Sequence, residues 1–385
     1  MSEPVDALAA LRAGVGNDAR VHLNNAGVAP LYPRGLAAAR HALELMQGGS
    51  HEVLELFALH DRARATLARL LGAPSDDVAF FSSCSAAISQ VAFGMRLKPG
   101  DEIVLPDQEY PSNAYPWHVA AKGAGARVVV VASCADWSLD SARLLEAIGP
   151  RTRVVAVSWV QFSTGATADL HALAAAAHGV GAWLVVDAIQ GLGVIPFDQP
   201  ASGADVVCGG GHKWLCGPLG LGFLSARAEV RDALEPLAVS ATTFGTPDDP
   251  VDATKPARRD RRRFEPGNPL VLASSAAAGS AEQLLEVGIK VAHAEALGLR
   301  ALVVEEAARR GFEVRPGGGP VQSPIVTFVP DVDPARLVEG LRARGVSVAP
   351  RGGGVRVAPH AHNTVADVER LFALVDELRV GLRST

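Results

Sequence analysis

The sequence has few cysteines, and their spacing matches no common disulfide or metal motif. The four cysteines, at positions 84, 134, 208 and 216, are far apart in a chain of 385 residues. Without a C-x-x-C pair, neither a zinc site nor a disulfide framework is indicated. We expect most of these thiols to be buried as small apolar groups.

Positive charge and long apolar runs are also lacking. A net charge of −5 gives no basic field for nucleic acid, and we expect the short basic run at 258–263 to be a solvated loop. No apolar run approaches the roughly 18 residues of a membrane span. The N-terminus lacks the basic region and apolar block of a signal peptide. We therefore expect a cytoplasmic protein without nucleic-acid or membrane partners.

Apolar residues make up 48% of the chain, enough to bury a large core. Predicted strands alternate with predicted helices, a rhythm typical of an α/β protein with a mostly parallel sheet. We expect a large domain at 15–270 and a smaller α+β domain at 271–385, with residues 1–14 packing on the smaller one. In that domain a single long helix is predicted from Ser275 past Arg310.

Two chemically reactive residues follow short apolar strands. The predicted strand 183–186 ends at Asp187, and a second strand leads through glycines 209–211 to Lys213 and Trp214. Ligands of open α/β sheets bind at the carboxyl ends of strands. A lysine among apolar groups is costly to bury as a cation, which favours a lowered pKa or a covalent role. Either residue alone is also typical of a loop or helix cap.

Pyridoxal phosphate (PLP) requires such a pair. It needs a lysine for its aldehyde, a carboxylate beside its pyridine nitrogen, and donors for its phosphate. The segment 82–89 is rich in small and hydroxyl residues and opens a predicted helix, whose free N–H groups can bind an anion. An ordinary serine cap would explain the same segment.

The stretches D-A-x-Q from Asp187 and H-K-W-L-x-G-P-x-G-x-G from His212 resemble the class V aminotransferase family of fold-type I PLP enzymes. The resemblance runs from Leu23 to about Leu378 and implies a mostly parallel seven-stranded sheet. It implies that Lys213 forms the Schiff base and that Asp187 pairs with the pyridine nitrogen. It also places Gln190 on the phenolic oxygen of PLP and His212 near the phosphate.

Further cofactor contacts follow from the same resemblance. Cys84 and Ser85 correspond to the phosphate loop, with the Cys84 backbone N–H as the donor. Tyr110 stands where cysteine desulfurases have a histidine on the pyridine ring, and a tyrosine there is similar to the epimerase-like branch. We expect the Tyr110 ring to stack on the pyridine ring of PLP, and a tyrosine of the core is the alternative. Asn268 corresponds to a residue that reaches the partner subunit's phosphate, which implies a homodimer.

The resemblance also implies an amino-acid substrate. Asn25 and Gly27 lie in a segment that lines the substrate pocket in the family, although an ordinary loop fits the same composition. Arg356 matches the arginine that binds the α-carboxylate, and a planar guanidinium suits that partner. A surface arginine on an edge strand is the alternative. Trp159, Gln161 and Arg351 are left without assigned roles.

One residue of the desulfurases is missing. Their persulfide-forming cysteine precedes the carboxylate-binding arginine, whereas this chain has no cysteine after Cys216. Persulfide transfer by that route therefore lacks its nucleophile. We predict a C–S β-lyase that acts on a cysteine S-conjugate or cystine-like amino acid and releases a sulfur species, pyruvate and ammonia. An aminotransferase, an epimerase or another enzyme that ionises Cα–H is the alternative, and a scaffold that only binds PLP is a third hypothesis.

Overall fold

The computed structural model describes residues 4–15, 20–246, 251–252, 254–315 and 317–383. Strands and helices alternate through most of this range. The strands are β1 (Val21–His22), β2 (Val78–Phe81), β3 (Glu102–Pro106), β4 (Arg127–Val131), β5 (Thr152–Ser158), β6 (Trp183–Asp187), β7 (Val206–Gly210), β8 (Gly222–Ala226), β9 (Glu313–Arg315), β10 (Val326–Val329), β11 (Val346–Ser347), β12 (Ala349–Arg351) and β13 (Gly354–Val357).

The helices connect these strands and cover the sheets. They are α1 (Pro4–Val15), α2 (Pro33–Gln47), α3 (Val53–Leu71), α4 (Cys84–Gly94), α5 (Pro111–Ala124), α6 (Ser141–Glu146), α7 (Leu170–Gly179), α8 (Gln199–Ser202), α9 (Ala228–Ala233), α10 (Ala241–Phe244), α11 (Val271–Val287), α12 (Ile289–Arg309), α13 (Pro334–Ala343) and α14 (Val365–Arg383). No helix of the described residues is both long and apolar enough to cross a membrane.

The largest sheet has seven strands in the order β2-β8-β7-β6-β5-β3-β4. Strand β8 runs antiparallel to both of its neighbours, and the other pairs are parallel. The expected mostly parallel seven-stranded sheet is therefore confirmed. Because parallel strands run in the same direction, their carboxyl ends share one edge, and residues that follow β5, β6 and β7 meet there.

Helices cover both faces of this sheet. In β6, Leu184 and Val186 point into one apolar core together with Leu173 of α7. Val185 points into the other core together with Ile88 of α4 and Trp117 of α5. This alternation is the period of two that a strand imposes. A strand apolar on both faces is thus buried on both, which explains its continuous hydrophobic run.

The single long helix predicted from Ser275 is wrong in two respects. Helix α11 begins at Val271, and Ser275 is buried inside it. Gly288 ends α11 with a φ of +84°, a left-handed conformation that glycine adopts without steric cost. Helix α11 packs on α2 and α3, which belong to the layer beside the large sheet. The domain division at residue 270 stays a prediction.

The C-terminal part contains an antiparallel sheet with the order β12-β13-β10-β9. Val303 of α12, Leu341 of α13 and Leu371 of α14 pack around Phe328 of this sheet. Strand β1 pairs in parallel with β11, so the chain just after α1 joins this part of the molecule. The pairing brings the segment after β1 beside β13, next to Arg356.

Helix α1 packs near the same region. Its Leu8 and Leu11 share an apolar cluster with Leu284 of α11 and Ala292 of α12. Arg12 forms an ion pair with Glu295 at 2.7 Å. The N-terminal helix therefore contacts both α11 and α12.

Candidate active site

Lys213 lies just beyond β7 with only 9% of its surface exposed. Its Nζ is 5.5 Å from the centre of the Tyr110 ring, and it has no hydrogen-bond partner among the described residues. Burial lowers the pKa of Lys213 to about 8, while the nearby Asp187 opposes the shift and Arg356 adds to it. A neutral amine is therefore accessible near physiological pH, as imine formation requires.

Asp187 ends β6 and lies beside Cys208 of β7 in the sheet. Its Oδ1 accepts the backbone N–H of Ile189 at 2.9 Å and faces the Cys84 thiol at 3.5 Å. Its Oδ2 has no hydrogen-bond partner in the described part of the chain. Burial raises the pKa of Asp187, and the Ile189 N–H and Lys213 partly offset that rise. One carboxylate oxygen thus remains to receive a pyridinium N–H.

The side-chain amide of Gln190 is held by two hydrogen bonds, one at its oxygen and one at its nitrogen. Its Oε1 accepts from Trp214 Nε1 at 2.9 Å, and its Nε2 donates to the Ala26 carbonyl at 3.0 Å. An amide nitrogen carries two hydrogens, so one remains for an oxygen of the cofactor. His212 precedes Lys213, and burial lowers the pKa of its imidazole to about 4. The ring is therefore neutral at pH 7 and can donate one N–H.

Helix α4 begins at the expected phosphate position. Ser83 caps it by accepting the Ala86 N–H at 3.1 Å, which leaves the N–H groups of Cys84 and Ser85 without helical partners. A Cβ on Gly222 would lie 2.1 Å from the carbonyl carbon of Ser83. Glycine at 222 therefore allows the start of α4 to pack against β8, and the two free N–H groups fit a phosphate.

Tyr110 is followed by α5 and is 43% exposed. Its ring meets that of Phe162 edge to face at 5.2 Å, and one face lies toward Lys213. This position agrees with a ring that covers a cofactor bound to Lys213. The Ser85 hydroxyl donates to Ser112 at 2.8 Å, which ties the start of α4 to the start of α5.

Glu109, beside Tyr110, was not among the predicted site residues. Its carboxylate accepts the backbone N–H and the hydroxyl of Ser158, both at 2.6 Å. It also accepts from Gln161 at 3.0 Å and Asn113 at 2.8 Å. Burial raises the pKa of Glu109 to about 7 against these four hydrogen bonds. The carboxylate thus joins β5, α5 and the segment after β5 behind Tyr110.

Arg356 is buried on β13 and oriented by two acceptors. Its guanidinium donates to the Phe162 carbonyl at 2.6 Å and to Asn24 Oδ1 at 2.9 Å. The Nε atom has no partner in the described structure. Burial lowers the pKa of Arg356 to about 10, so the group stays charged at pH 7. A buried cation with a free donor fits a carboxylate ligand.

The remaining predicted residues lie around this site in different ways. Asn25 is fully buried and donates to the Ala358 carbonyl at 2.8 Å. Its neighbour Asn24 contacts Arg356. A Cβ on Gly27 would lie 2.7 Å from the side-chain amide nitrogen of Asn24. Asn268 is exposed in the described single chain. Substrate and partner roles for these residues stay predictions.

The basic run is not the wholly solvated loop that we expected. Residues 261–264 form a 3₁₀ turn in which Arg263 is buried and donates to the Leu234 carbonyl at 2.9 Å. Arg261 pairs with Asp76 at 2.6 Å. Glu265 then accepts the Phe80 N–H at 2.6 Å. The run thus anchors the segment that carries Asn268 to the large sheet.

The fold and these groups define a PLP-dependent enzyme of fold type I. The profile of the aminotransferase class-V family matches residues 21–372, and the chain belongs to this family. The bound cofactor of such enzymes withdraws electrons from Cα of an amino acid.

Relatives of known name cover different parts of the chain. A probable cysteine desulfurase of Methanothermobacter thermautotrophicus is 36% identical over 181 residues, which are 47% of this chain and 45% of that protein. Isopenicillin N epimerase of Streptomyces clavuligerus is 30% identical over 84% of this chain and 85% of its own length. The structure of the cysteine desulfurase CsdA of Escherichia coli has a TM-score of 0.86 at 25% identity, covering 99% of this chain and 100% of that chain.

Proposed function

We propose that the protein is a C–S β-lyase that acts on a cysteine S-conjugate or a cystine-like amino acid. The observation that carries this proposal is the hairpin before Arg356. Strands β12 and β13 are joined by Gly352 and Gly353, with φ values of +59° and +72°. This turn has no side chain that can accept sulfur, in contrast to the cysteine of the desulfurases.

The residues of the site divide the work of such a reaction. Arg356 binds the α-carboxylate and orients the substrate, and Asp187 keeps the pyridine nitrogen protonated. The Lys213 amine, whose pKa is lowered by burial to about 8, takes the proton from Cα. The Cβ–S bond then breaks with its electron pair leaving on sulfur. Water converts the remaining three carbons and nitrogen to pyruvate and ammonia.

A different reaction at Cα is the second candidate. Tyr110 stands in place of the histidine of desulfurases, and one relative of similar length is an isopenicillin N epimerase. If the proton returns to Cα from the opposite side, the product is an epimer. If the proton is added to the cofactor instead of Cα, the amino group is transferred. Both routes leave the Cβ–S bond intact.

A homodimer is part of the proposal. Helices α2 and α3 present exposed apolar side chains, among them Leu43, Leu54 at 80% exposure, and Phe57. An exposed apolar surface of this kind is typical of an interface. The exposed Asn268 would then reach the phosphate of the partner subunit, which supports two sites built at a two-fold axis. A cytoplasmic location likewise stays a prediction.

A substrate panel tests the reaction. Cystine, S-benzylcysteine, a cysteine sulfoxide and plain amino acids with a keto-acid acceptor are incubated with the holoenzyme, and pyruvate, amines and enantiomers are quantified. Pyruvate in equal amount to the released sulfur compound supports the lyase. Amino transfer or inversion at Cα with sulfur retained would support the second candidate instead.

A variant of Cys134 tests whether a protein thiol accepts the sulfur. Cys134 is exposed and lines a surface cavity together with Arg351 and Gly352, whereas the other three cysteines are buried. Because we propose direct release of sulfur, Cys134→Ser should form pyruvate at the rate of the wild type. Loss of turnover, or a persulfide on Cys134 in the intact-protein mass, would contradict direct release.

A further inference from the structure

A cavity of about 540 Å³ adjoins the candidate active site. Phe162 belongs to both: its carbonyl accepts a hydrogen bond from Arg356, its ring contacts Tyr110, and its side chain lines the cavity. Trp137 and Arg351 line it as well. The volume is in the range of small-molecule pockets and far exceeds a cysteine side chain. It lies where the substituent of a substrate held by Arg356 can extend.

The hairpin register places two arginines on one face. Arg356 is opposite Ala349 across the β12–β13 pair, and Arg351 is opposite Gly354. Opposed residues in an antiparallel pair point to the same side, and so do residues two apart in one strand. Arg351 and Arg356 therefore project from the same face of the hairpin. The glycine opposite Arg351 leaves space beside its side chain.

Arg351 lies in the cavity wall and has N–H groups that are not hydrogen-bonded within the described chain. Its one hydrogen bond within the described chain runs from Nη1 to the Pro350 carbonyl at 2.9 Å. Asp107 accepts the backbone N–H and the hydroxyl of Ser133 at its Oδ1, and Glu109 accepts four hydrogen bonds. Within the described residues, neither carboxylate forms an ion pair with Arg351. Positive charge from Arg351 also contributes to the lowered pKa of Arg356, which places the two cations in one electrostatic environment.

The other wall of the cavity is aromatic. Trp137 has a φ of +68° and is 38% exposed, so part of its indole is open to solvent. Arg315 lies 5.4 Å from its ring centre and pairs with Glu313, which leaves Arg315 occupied. An indole and the Phe162 ring offer flat apolar surfaces for a planar or aliphatic spacer.

We propose that Arg351 and this cavity form the subsite for the sulfur substituent, and that they select S-conjugates whose substituent has an apolar spacer and an anionic end. This inference rests on the proposed function, since it names the substrate class of the same site. Arg356 takes the α-carboxylate, the aromatic wall takes the spacer, and Arg351 takes a distal carboxylate or sulfonate. Arginine suits such a partner because its planar fork can bind two oxygens.

Two isosteric substrates test the proposal. S-(4-carboxybenzyl)cysteine carries the distal charge, and S-(4-carbamoylbenzyl)cysteine has the same shape without it. For the wild-type holoenzyme we expect kcat/KM to be at least about tenfold higher for the carboxylate, the effect of one charge-assisted hydrogen bond. Arg351→Gln should bring the ratio near one by lowering only the carboxylate value. Arg342→Gln, at an exposed arginine of α13, is the control and should keep the ratio.

Binding measured without turnover separates this inference from the reaction. Analogues with CH₂ in place of sulfur cannot lose a sulfur leaving group, and calorimetry gives their Kd values. If neither sulfur compound yields pyruvate but the acidic analogue binds about tenfold tighter through Arg351, the lyase fails and the subsite stands. Equal Kd values for the two analogues, or a preference that persists in Arg351→Gln, would overturn the subsite whatever the reaction.

Discussion

Replacing Arg356 by lysine keeps the charge at the carboxylate position and removes the fork. The side chain is 3% exposed, and its guanidinium is held by Phe162 and Asn24 while Nε is left for a ligand. A lysine ammonium can still pair with a carboxylate but not as a planar bidentate donor. We therefore expect the variant to lose about one charge-assisted hydrogen bond to substrate.

The size of the effect follows from that count. One such bond contributes about 1.5–3 kcal/mol, and each 1.4 kcal/mol is about tenfold in affinity. Arg356→Lys should thus raise KM by about 10- to 100-fold. Arg356→Ala loses the charge as well, and its kcat/KM should fall by a further factor of about ten.

The assay is pyruvate formation from S-benzylcysteine over a range of concentrations, with PLP content read from the visible absorbance of each variant. PLP content should match that of the wild type, because we propose no contact between Arg356 and the cofactor. Arg342→Ala is the control for the loss of an arginine charge at the surface. A KM unchanged in Arg356→Ala, with PLP retained, would refute the assignment of the α-carboxylate to this arginine.

Five other predictions concern the cofactor, the stability of the apoprotein and the assembly. Lys213→Ala should bind PLP without a borohydride-reducible imine, and reduction that still attaches PLP to the chain would contradict the role of Lys213. Because burial lowers the pKa of Lys213 to about 8, PLP uptake by the apoprotein should accelerate through pH 8 and level off above it; a rate flat from pH 6 to 8 would contradict this. For the same reason, the unfolded chain binds more protons between pH 8 and 10.5, so apoprotein stability should rise with pH across that window. Gly222→Ala should weaken PLP binding at least tenfold, because its Cβ would meet Ser83 at 2.1 Å. Sedimentation should give a dimer, and a fully active monomer would contradict the shared site.

The reactive pair could be predicted because its signal is local. Asp187 and Lys213 each follow a short apolar run, and the parallel order of β6 and β7 brings their ends to one edge. Strand period and strand polarity are enough for that inference. The roles of these residues toward the cofactor were predicted from the resemblance to the family and could not be predicted from the local pattern.

Other contacts could not be predicted because their partners are distant in the chain. Arg356 and Asn24 are 332 positions apart, and β1 must pair with β11 before they meet. The four donors around Glu109 come from three segments, so the adjacent sequence shows only a charged residue after a strand. Gly288 lies in a helical pattern that tolerates an isolated glycine, and only its φ of +84° reveals the break.

In the proposed reaction, the Cβ–S bond breaks and sulfur leaves without passing through the protein. S-Benzylcysteine labelled with ¹³C at Cβ, followed by NMR in the presence of the holoenzyme, tests it most directly. We predict that the label appears in the methyl group of pyruvate as an equal amount of benzyl thiol is released. Labelled alanine, a labelled keto acid that retains the benzylthio group, or inverted S-benzylcysteine would each be incompatible with this reaction.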